Sequence, residues 1–252
     1  RTNMAAASPA TASDAFNATL SQRQVNEIRH FVPLNDLLVF TSGAEWKVNS
    51  GPDTAFELAS IRQKPQSFWG ANHLRPHVVG ATIFFIEENS AEVRSLGYSF
   101  QQDSYTGTNL GLLANHLLKE NTIDDWTVTR SPEVRFYIVR NDGDMLTMTF
   151  DNEQEVIAWT TWDTDGTYES VAALGPASGE SQDQVYAVVK RNIDLAPTIA
   201  AGNTVYYVEK VSPQMTSDDV ADARYLDSEL ALDTPFAISS VTAAKPVVVT
   251  SA

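Results

Sequence analysis

Four short apolar runs recur along the chain at a spacing of roughly 45 to 55 residues: "DLLVF" at 36–40, "TIFFI" at 82–86, "RFYIV" at 135–139 and "VYAVV" at 185–189. A spacing of that length holds four short strands joined by tight turns, so the recurrence predicts successive four-stranded units. The third unit shows the logic best, with "EVRFYIVR", "DMLTMTF", "EVIAWTTW" and "TYESVAAL" following one another across short connections. "NDGD" at 141–144 carries an Asp-Gly hairpin signal, in which glycine tolerates a positive φ, and "DTDG" at 163–166 supplies another. In "EVIAWTTW", Ile157, Trp159 and Thr161 alternate with Val156, Ala158, Thr160 and Trp162, and both faces are expected to be largely buried between stacked sheets.

Helical signals are few. "NLGLLANHLLKE" suggests a helix around 110–118, and "SDDVADARYLD" another, with Ser217 as cap and Asp218 and Asp219 in the first turn. "VNEIRHF" has the composition for one helical turn, but Pro33 biases His30 to Val32 towards extended structure ahead of a strand at 37–40. The expected fold is all-β: four-stranded antiparallel sheets of β-propeller type, about four blade units forming a partial ring, with few short helices. Residues 1–20, rich in Ala, Ser and Thr, are expected to form a loop or arm that starts a truncated unit. Residues 21–212 carry the blades, and 213–252 a helical insertion and the start of a following β segment. Arg1 is not an initiator residue, which suggests an internal fragment or a processed product.

Charge narrows the function classes. With 17 basic and 32 acidic side chains, a net of −15, the chain is ill suited to gripping nucleic acid phosphates. Such a surface instead repels DNA, which matters where DNA must pass without sticking. There is no cysteine, so disulfides, zinc-thiolate sites and cysteine nucleophiles are excluded. No apolar run approaches the roughly 18 residues of a membrane span, and no basic, apolar signal segment opens the chain, so a soluble protein without a membrane span is expected.

Several polar residues are candidates for chemistry, each with a plainer structural reading beside it. His73 and His77 stand four apart in "NHLRPHVVG", a helical spacing for two metal ligands, but Pro76 argues against the helix and loop histidines are favoured. His30 and His116 have no acidic or cysteine partner at motif spacing. Asp163, Asp165 and Glu169 in "DTDGTYE" resemble part of a calcium loop but lack its full ligand pattern, and a hairpin turn is preferred. The doublets Glu87-Glu88 and Asp124-Asp125 evoke glycosidase carboxylates, yet adjacent strand residues point to opposite faces. Ser42 in "TSGAEW" does not match a nucleophile elbow and reads as a turn residue. Trp46, Trp69, Trp126, Trp159 and Trp162 are the material for a sugar-stacking platform, although strand aromatics more often pack in cores. No catalytic, cofactor-binding or metal-binding residue is assigned, and no cofactor is expected.

The stretches "QVNEIRHFVPLNDLLVFTSGAEWKV", "KPQSFWGANHLRPHVVGATIFFIEENSAEVRSLGYSF", "DSYTGTNLGLLANHLL", "WDTDGTYESV" and "VYYVEKV", in this order from about Gln22 to Val211, together resemble the tail nozzle proteins of short-tailed bacteriophages (podoviruses). These are also called tail tubular B-type or packaged-DNA stabilisation proteins. The resemblance implies a structural virion component and no enzyme: a β-propeller-containing subunit of a homohexameric ring at the distal tip of the phage tail. Such a ring retains packaged DNA and forms part of the DNA ejection channel, through which DNA passes without specific binding. The implied partners are the tail tube adaptor protein and tail fibres or spikes, and synthesis would occur in the host bacterial cytoplasm. Family members are usually much longer, so this chain would correspond to their middle portion. Within the resemblance, "RQVNEIRHFVPLNDLLVFTSGAEWKV" is the lead-in and first hairpin of a blade, with Gly43 at the turn and Trp46 on the return strand. The alternative is a carbohydrate-binding or carbohydrate-cleaving propeller, motivated by the five tryptophans. A third reading is a cellular adhesion or scaffold propeller.

Overall fold

A computed structural model describes residues 18–20, 26–51, 60–193, 203–212 and 227–228. Among these residues fifteen strands fall into four sheets that follow one another along the chain. Sheet 1 holds β1 (Ile28–Pro33), β2 (Leu37–Thr41), β3 (Glu45–Asn49) and β4 (Arg62–Ser67). Sheet 2 holds β5 (His77–Val79), β6 (Thr82–Ile86), β7 (Val93–Ser99) and β8 (Ser104–Asn109). A 3-10 turn at Leu112–Ala114 and a single helical turn, α1 (Asn115–Leu118), lead to sheet 3: β9 (Ile123–Thr129), β10 (Arg135–Arg140), β11 (Met145–Asp151) and β12 (Val156–Trp162). Sheet 4 has three strands, β13 (Thr167–Leu174), β14 (Gln184–Ile193) and β15 (Asn203–Lys210). Every pairing is antiparallel between neighbours in sequence, so each sheet is a meander. The architecture is all-β and propeller-like.

The four recurring apolar runs are β2, β6, β10 and β14, the second strand of each sheet. Their position explains their composition. A strand that is paired on both edges and covered on both faces has no use for polar side chains, and period-2 alternation sends its residues alternately to the sheets on either side. Leu38 and Phe40 meet Ile83 and Phe85 between sheets 1 and 2. Phe84 and Ile86 meet Phe136 and Ile138 between sheets 2 and 3. Tyr137 and Val139 meet Val171 and Val185 between sheets 3 and 4. Each fully buried Leu, Ile or Phe in these seams contributes about 1.5–3 kcal/mol. Among the described residues these clusters join each sheet to the next, and none joins sheet 4 to sheet 1.

The β10–β11 hairpin turns at "NDGD" as expected, with Gly143 at φ +92°. Three other expectations need correction. "TYESVAAL" is not the last strand of the third unit: it is β13, the first strand of sheet 4, and the third unit begins instead at β9. "DTDG" is accordingly no hairpin, because β12 and β13 do not pair, and it carries the chain from one sheet to the next. β12 is also not buried on both faces. It is the outermost strand of its sheet, Val156 and Ile157 are 40% and 43% exposed, and only Trp159 and Trp162 turn inward against the two seams. A strand at the rim lies where neighbouring sheets have splayed apart, so its apolar alternation no longer predicts burial.

"VNEIRHF" makes no helical turn where it is described; Ile28–Pro33 is strand, as Pro33 suggested. Gly43 turns the chain from β2 into β3, where Trp46 is 4% exposed. Of the expected N-terminal arm only 18–20 is described, Leu20 packing against Val39, Trp46 and Val48. The expected helix and β segment of 213–252 lie outside the described residues, apart from Asp227 and Ser228. Among the described residues no helix is long and apolar enough to cross a membrane.

Candidate functional site

Of the polar residues singled out in the sequence, His30, His77 and Asp125 face backbone groups across the seams between sheets. In β1, His30 Nε2 lies 2.8 Å from the Asn72 carbonyl oxygen at the seam with sheet 2. Beside it, Arg29 donates to the Ala71 carbonyl (2.7 Å) and forks onto Glu88. The Ser42 hydroxyl accepts the Glu27 N–H at 3.2 Å, a turn contact. At the next seam His77, the first residue of β5 rather than a loop residue, sets its ring edge-on against Trp126 at 4.7 Å. Its Nε2 faces the Trp126 carbonyl at 3.4 Å. His73 is exposed and not on a helix, so the four-residue spacing does not bring the two imidazoles together, and among the described residues no three His, Asp or Glu side chains converge to hold a metal. His116 is exposed on α1.

The acidic candidates are likewise dispersed. Glu87 is buried and ion-paired with Arg94, while Glu88 turns the other way to Arg29. Asp124 is exposed; Asp125 Oδ2 accepts the Val171 N–H at 2.9 Å and so ties β9 to β13. Asp165 gives its N–H to Asp227 and its carbonyl to Arg191, and Glu169 accepts the Thr167 hydroxyl, an arrangement that stiffens the link between sheets. The tryptophans form no shared platform: Trp46 and Trp126 are buried, and Trp69, Trp159 and Trp162 each pack against a different core cluster. The Trp69 ring is covered by the Arg94 guanidinium at 4.2 Å. Arg29, Lys47, Arg94, Arg135, Arg140, Arg191 and Lys210 are engaged by carboxylates.

Glu45 carries no sequence signal, since nothing in "GAEWKV" marks a carboxylate for burial. It is fully buried at the start of β3, where Ser67 donates to Oε2 and Oε1 has no hydrogen-bond partner among the described residues. Burial pushes its carboxyl above the usual range, an effect only partly offset by the Ser67 hydroxyl and the backbone amides of Trp69 and Gly70. The folded state therefore binds this proton more tightly than the unfolded chain, and stability falls as pH rises through the interval between the two values. Glu45→Gln is expected to raise the urea midpoint at pH 7 and to lose most of that advantage at pH 4; a lower midpoint at pH 7 would refute the assignment.

His77 has the opposite sign. Burial lowers its pKa, outweighing the pull of the Trp126 carbonyl; Arg75 and Arg130 lower it further, and Asp125 raises it. His30 is lowered for the same leading reason. Their contribution is complete above the unfolded histidine value of about 6.5 and is lost as pH falls through it. Stability is expected to drop between pH 7.5 and pH 5, and His77→Phe, which keeps a ring against Trp126, should shrink that drop when thermal midpoints are compared at the two pH values.

No family model and no curated protein matches the sequence. Among solved structures, the chain is similar to a protein from Lactobacillus plantarum known from its crystal structure, with 13% sequence identity and a TM-score of 0.41. The similarity covers 73% of this chain and 55% of that one, so the chain spans about half the length of that protein.

Proposed function

We propose that the chain is a structural module of a phage virion: a tail nozzle subunit of a short-tailed bacteriophage, with no catalytic role. The observation that carries this reading is the ordered resemblance over about 22–211, whose stretches fall on β1–β3, β4–β7, β8 to α1, the β12–β13 link and β15. The stretches thus lie in sheets 1, 2 and 4 and reach sheet 3 at Trp162, the last residue of β12. The polar groups of the seams support the reading as well, because His30, Arg29 and Asp125 are spent on holding sheets together. The module would sit at the distal end of the tail tube in a homohexameric ring, between the adaptor and the fibres or spikes, and help retain the genome. A net charge of −15 suits a surface past which DNA moves without being held.

The alternative is a carbohydrate-binding or carbohydrate-cleaving propeller; of the five tryptophans that motivate it, Trp126 and Trp159 share one core cluster and Trp46, Trp69 and Trp162 belong to three others. Antibody raised against this chain is expected to label the distal tip of short-tailed virions in electron micrographs. Absence of label from intact and disrupted particles alike would remove the proposal.

A further inference from the structure

The last strands of sheets 1, 2 and 3 are β4, β8 and β12, and among the described residues each pairs with a neighbour on one edge only. An edge strand offers a row of main-chain N–H and C=O groups to any extended chain that comes alongside. Two of the three are blunted. β4 carries Arg62, Lys64 and Pro65, and its ladder with β3 slips between Glu45 and Trp46. β8 is interrupted by Gly107, and its Tyr105 N–H is taken by Gln66 Oε1 at 2.8 Å. β12 has none of these devices. Val156–Trp162 holds no charge, proline or glycine, and all seven residues pair with β11 without a bulge.

The strand is also held extended before anything joins it. Trp159 packs into the seam between sheets 2 and 3 and donates from Nε1 to the Leu110 carbonyl at 3.0 Å, while Trp162 turns to the other side, edge-on to Tyr137. With anchors on both faces, only the arriving strand has to be ordered. The exposed side chains of β12 are Val156, Ile157, Ala158, Thr160 and Thr161, all but one β-branched and suited to cross-strand pairing with their own kind. Charge says which strand belongs beside them. Glu153 and Glu155 precede β12 and Asp163 and Asp165 follow it, all exposed, and among the described residues none of these carboxylates is in an ion pair. A second copy laid antiparallel in full register would set Glu155 of each copy opposite Asp163 of the other, a like-charge contact at both ends that disfavours self-pairing. A segment with Lys or Arg at each end meets opposite charge there instead.

We propose that the outer edge of β12 is a docking site for an extended segment of a partner protein, which adds to sheet 3 as a further strand beside Val156–Trp162. The segment alternates β-branched apolar and small polar residues and carries a basic residue at each end, facing Glu155 and Asp163. This inference does not depend on the virion role.

The full chain is titrated by fluorescence anisotropy against a dye-labelled peptide, Lys-Val-Thr-Val-Thr-Val-Thr-Val-Lys. Two further peptides accompany it, one with Glu at both ends and one N-methylated throughout the run between the lysines, which removes its main-chain donors. The Lys-ended peptide is expected to bind at least about fivefold tighter than the Glu-ended one, with the preference reversed in the Glu155→Lys/Asp163→Lys variant, whose substitutions lie at exposed sites. N-methylation is expected to weaken binding at least about tenfold. Equal affinities for the two charged peptides, a preference that does not reverse, or undiminished binding of the N-methylated peptide would overturn the proposal. Failure of the Lys-ended peptide to bind at about 1 mM would overturn it as well. Self-association of the protein that Ala158→Lys abolishes would assign the edge to a second copy and overturn it too.

Discussion

Phe136→Ala is expected to lower the free energy of unfolding by about 3–5 kcal/mol, a large part of the roughly 5–15 kcal/mol that holds an ordinary domain together. The ring is fully buried in β10, stacked on Trp126 at 5.6 Å and 22° and tilted against Phe84 at 4.7 Å. It fills the seam from the sheet 3 side while Phe84 fills it from the sheet 2 side, with Phe150 edge-on to Phe84 at 4.9 Å. Removing it leaves a cavity walled by rings anchored on two different sheets, which cannot close without moving one sheet towards the other. Urea unfolding followed by tryptophan fluorescence measures the loss. Phe100→Ala, at an 87% exposed site, is the matched control and should change stability by less than about 0.5 kcal/mol. A Phe136→Ala protein within about 1 kcal/mol of the parent would show that the seam does not hold the sheets together.

The second large effect is expected at Gly70, in the link between β4 and β5. Its φ is +75°, and a Cβ added there would stand 2.2 Å from the Ser42 carbonyl oxygen and 3.0 Å from the Gly43 nitrogen. Both obstacles are backbone, so neither can rotate away. The link is also where sheets 1 and 2 are tied by main-chain bonds, Ala71 N–H to the Thr41 carbonyl at 2.9 Å and Glu88 N–H to the Gly70 carbonyl at 3.2 Å. Gly70→Ala combines about 1–3 kcal/mol of backbone strain with about 1–3 kcal/mol of overpacking, so a loss of about 3 kcal/mol or more is expected. Gly80 separates the two contributions. Its φ is +59° and a Cβ added there would meet nothing within 4 Å, so Gly80→Ala carries the strain alone and should cost about 1–2 kcal/mol. Equal losses at the two positions in thermal unfolding would mean that the approach to Ser42 is unimportant.

What could be read before folding was local in origin. A buried second strand needs apolar residues on both faces, so β2, β6, β10 and β14 announce themselves as unbroken runs, and their even spacing conveys that the same unit recurs. Pro33 and the Asp-Gly turn at 142–143 act within a few residues of themselves, and both behaved as their chemistry requires. The assignment of "TYESVAAL" failed because hairpin chemistry and inter-sheet crossing draw on the same turn residues. Membership of sheet 4 is decided by the ladder with β14, while Val171 N–H bonding Asp125 and Ala173 N–H bonding Thr127, 46 residues away, dock β13 on β9 of sheet 3.

The candidate residues follow the same division. Local pattern sufficed to say that Glu87 and Glu88 diverge, but no pattern could identify their partners, since Arg29 lies 59 residues from Glu88. Burial of Glu45 against Ser67, 22 residues on, depends on how β3 and β4 meet at one edge of the sheet. By itself, then, the sequence determined the strands, their period and the all-β class, because side-chain alternation and turn preference act over a few residues. Only the tertiary structure decided which strands share a sheet, which face of β12 meets solvent, and which charges and rings face one another across the seams, because those outcomes depend on packing between segments dozens of residues apart.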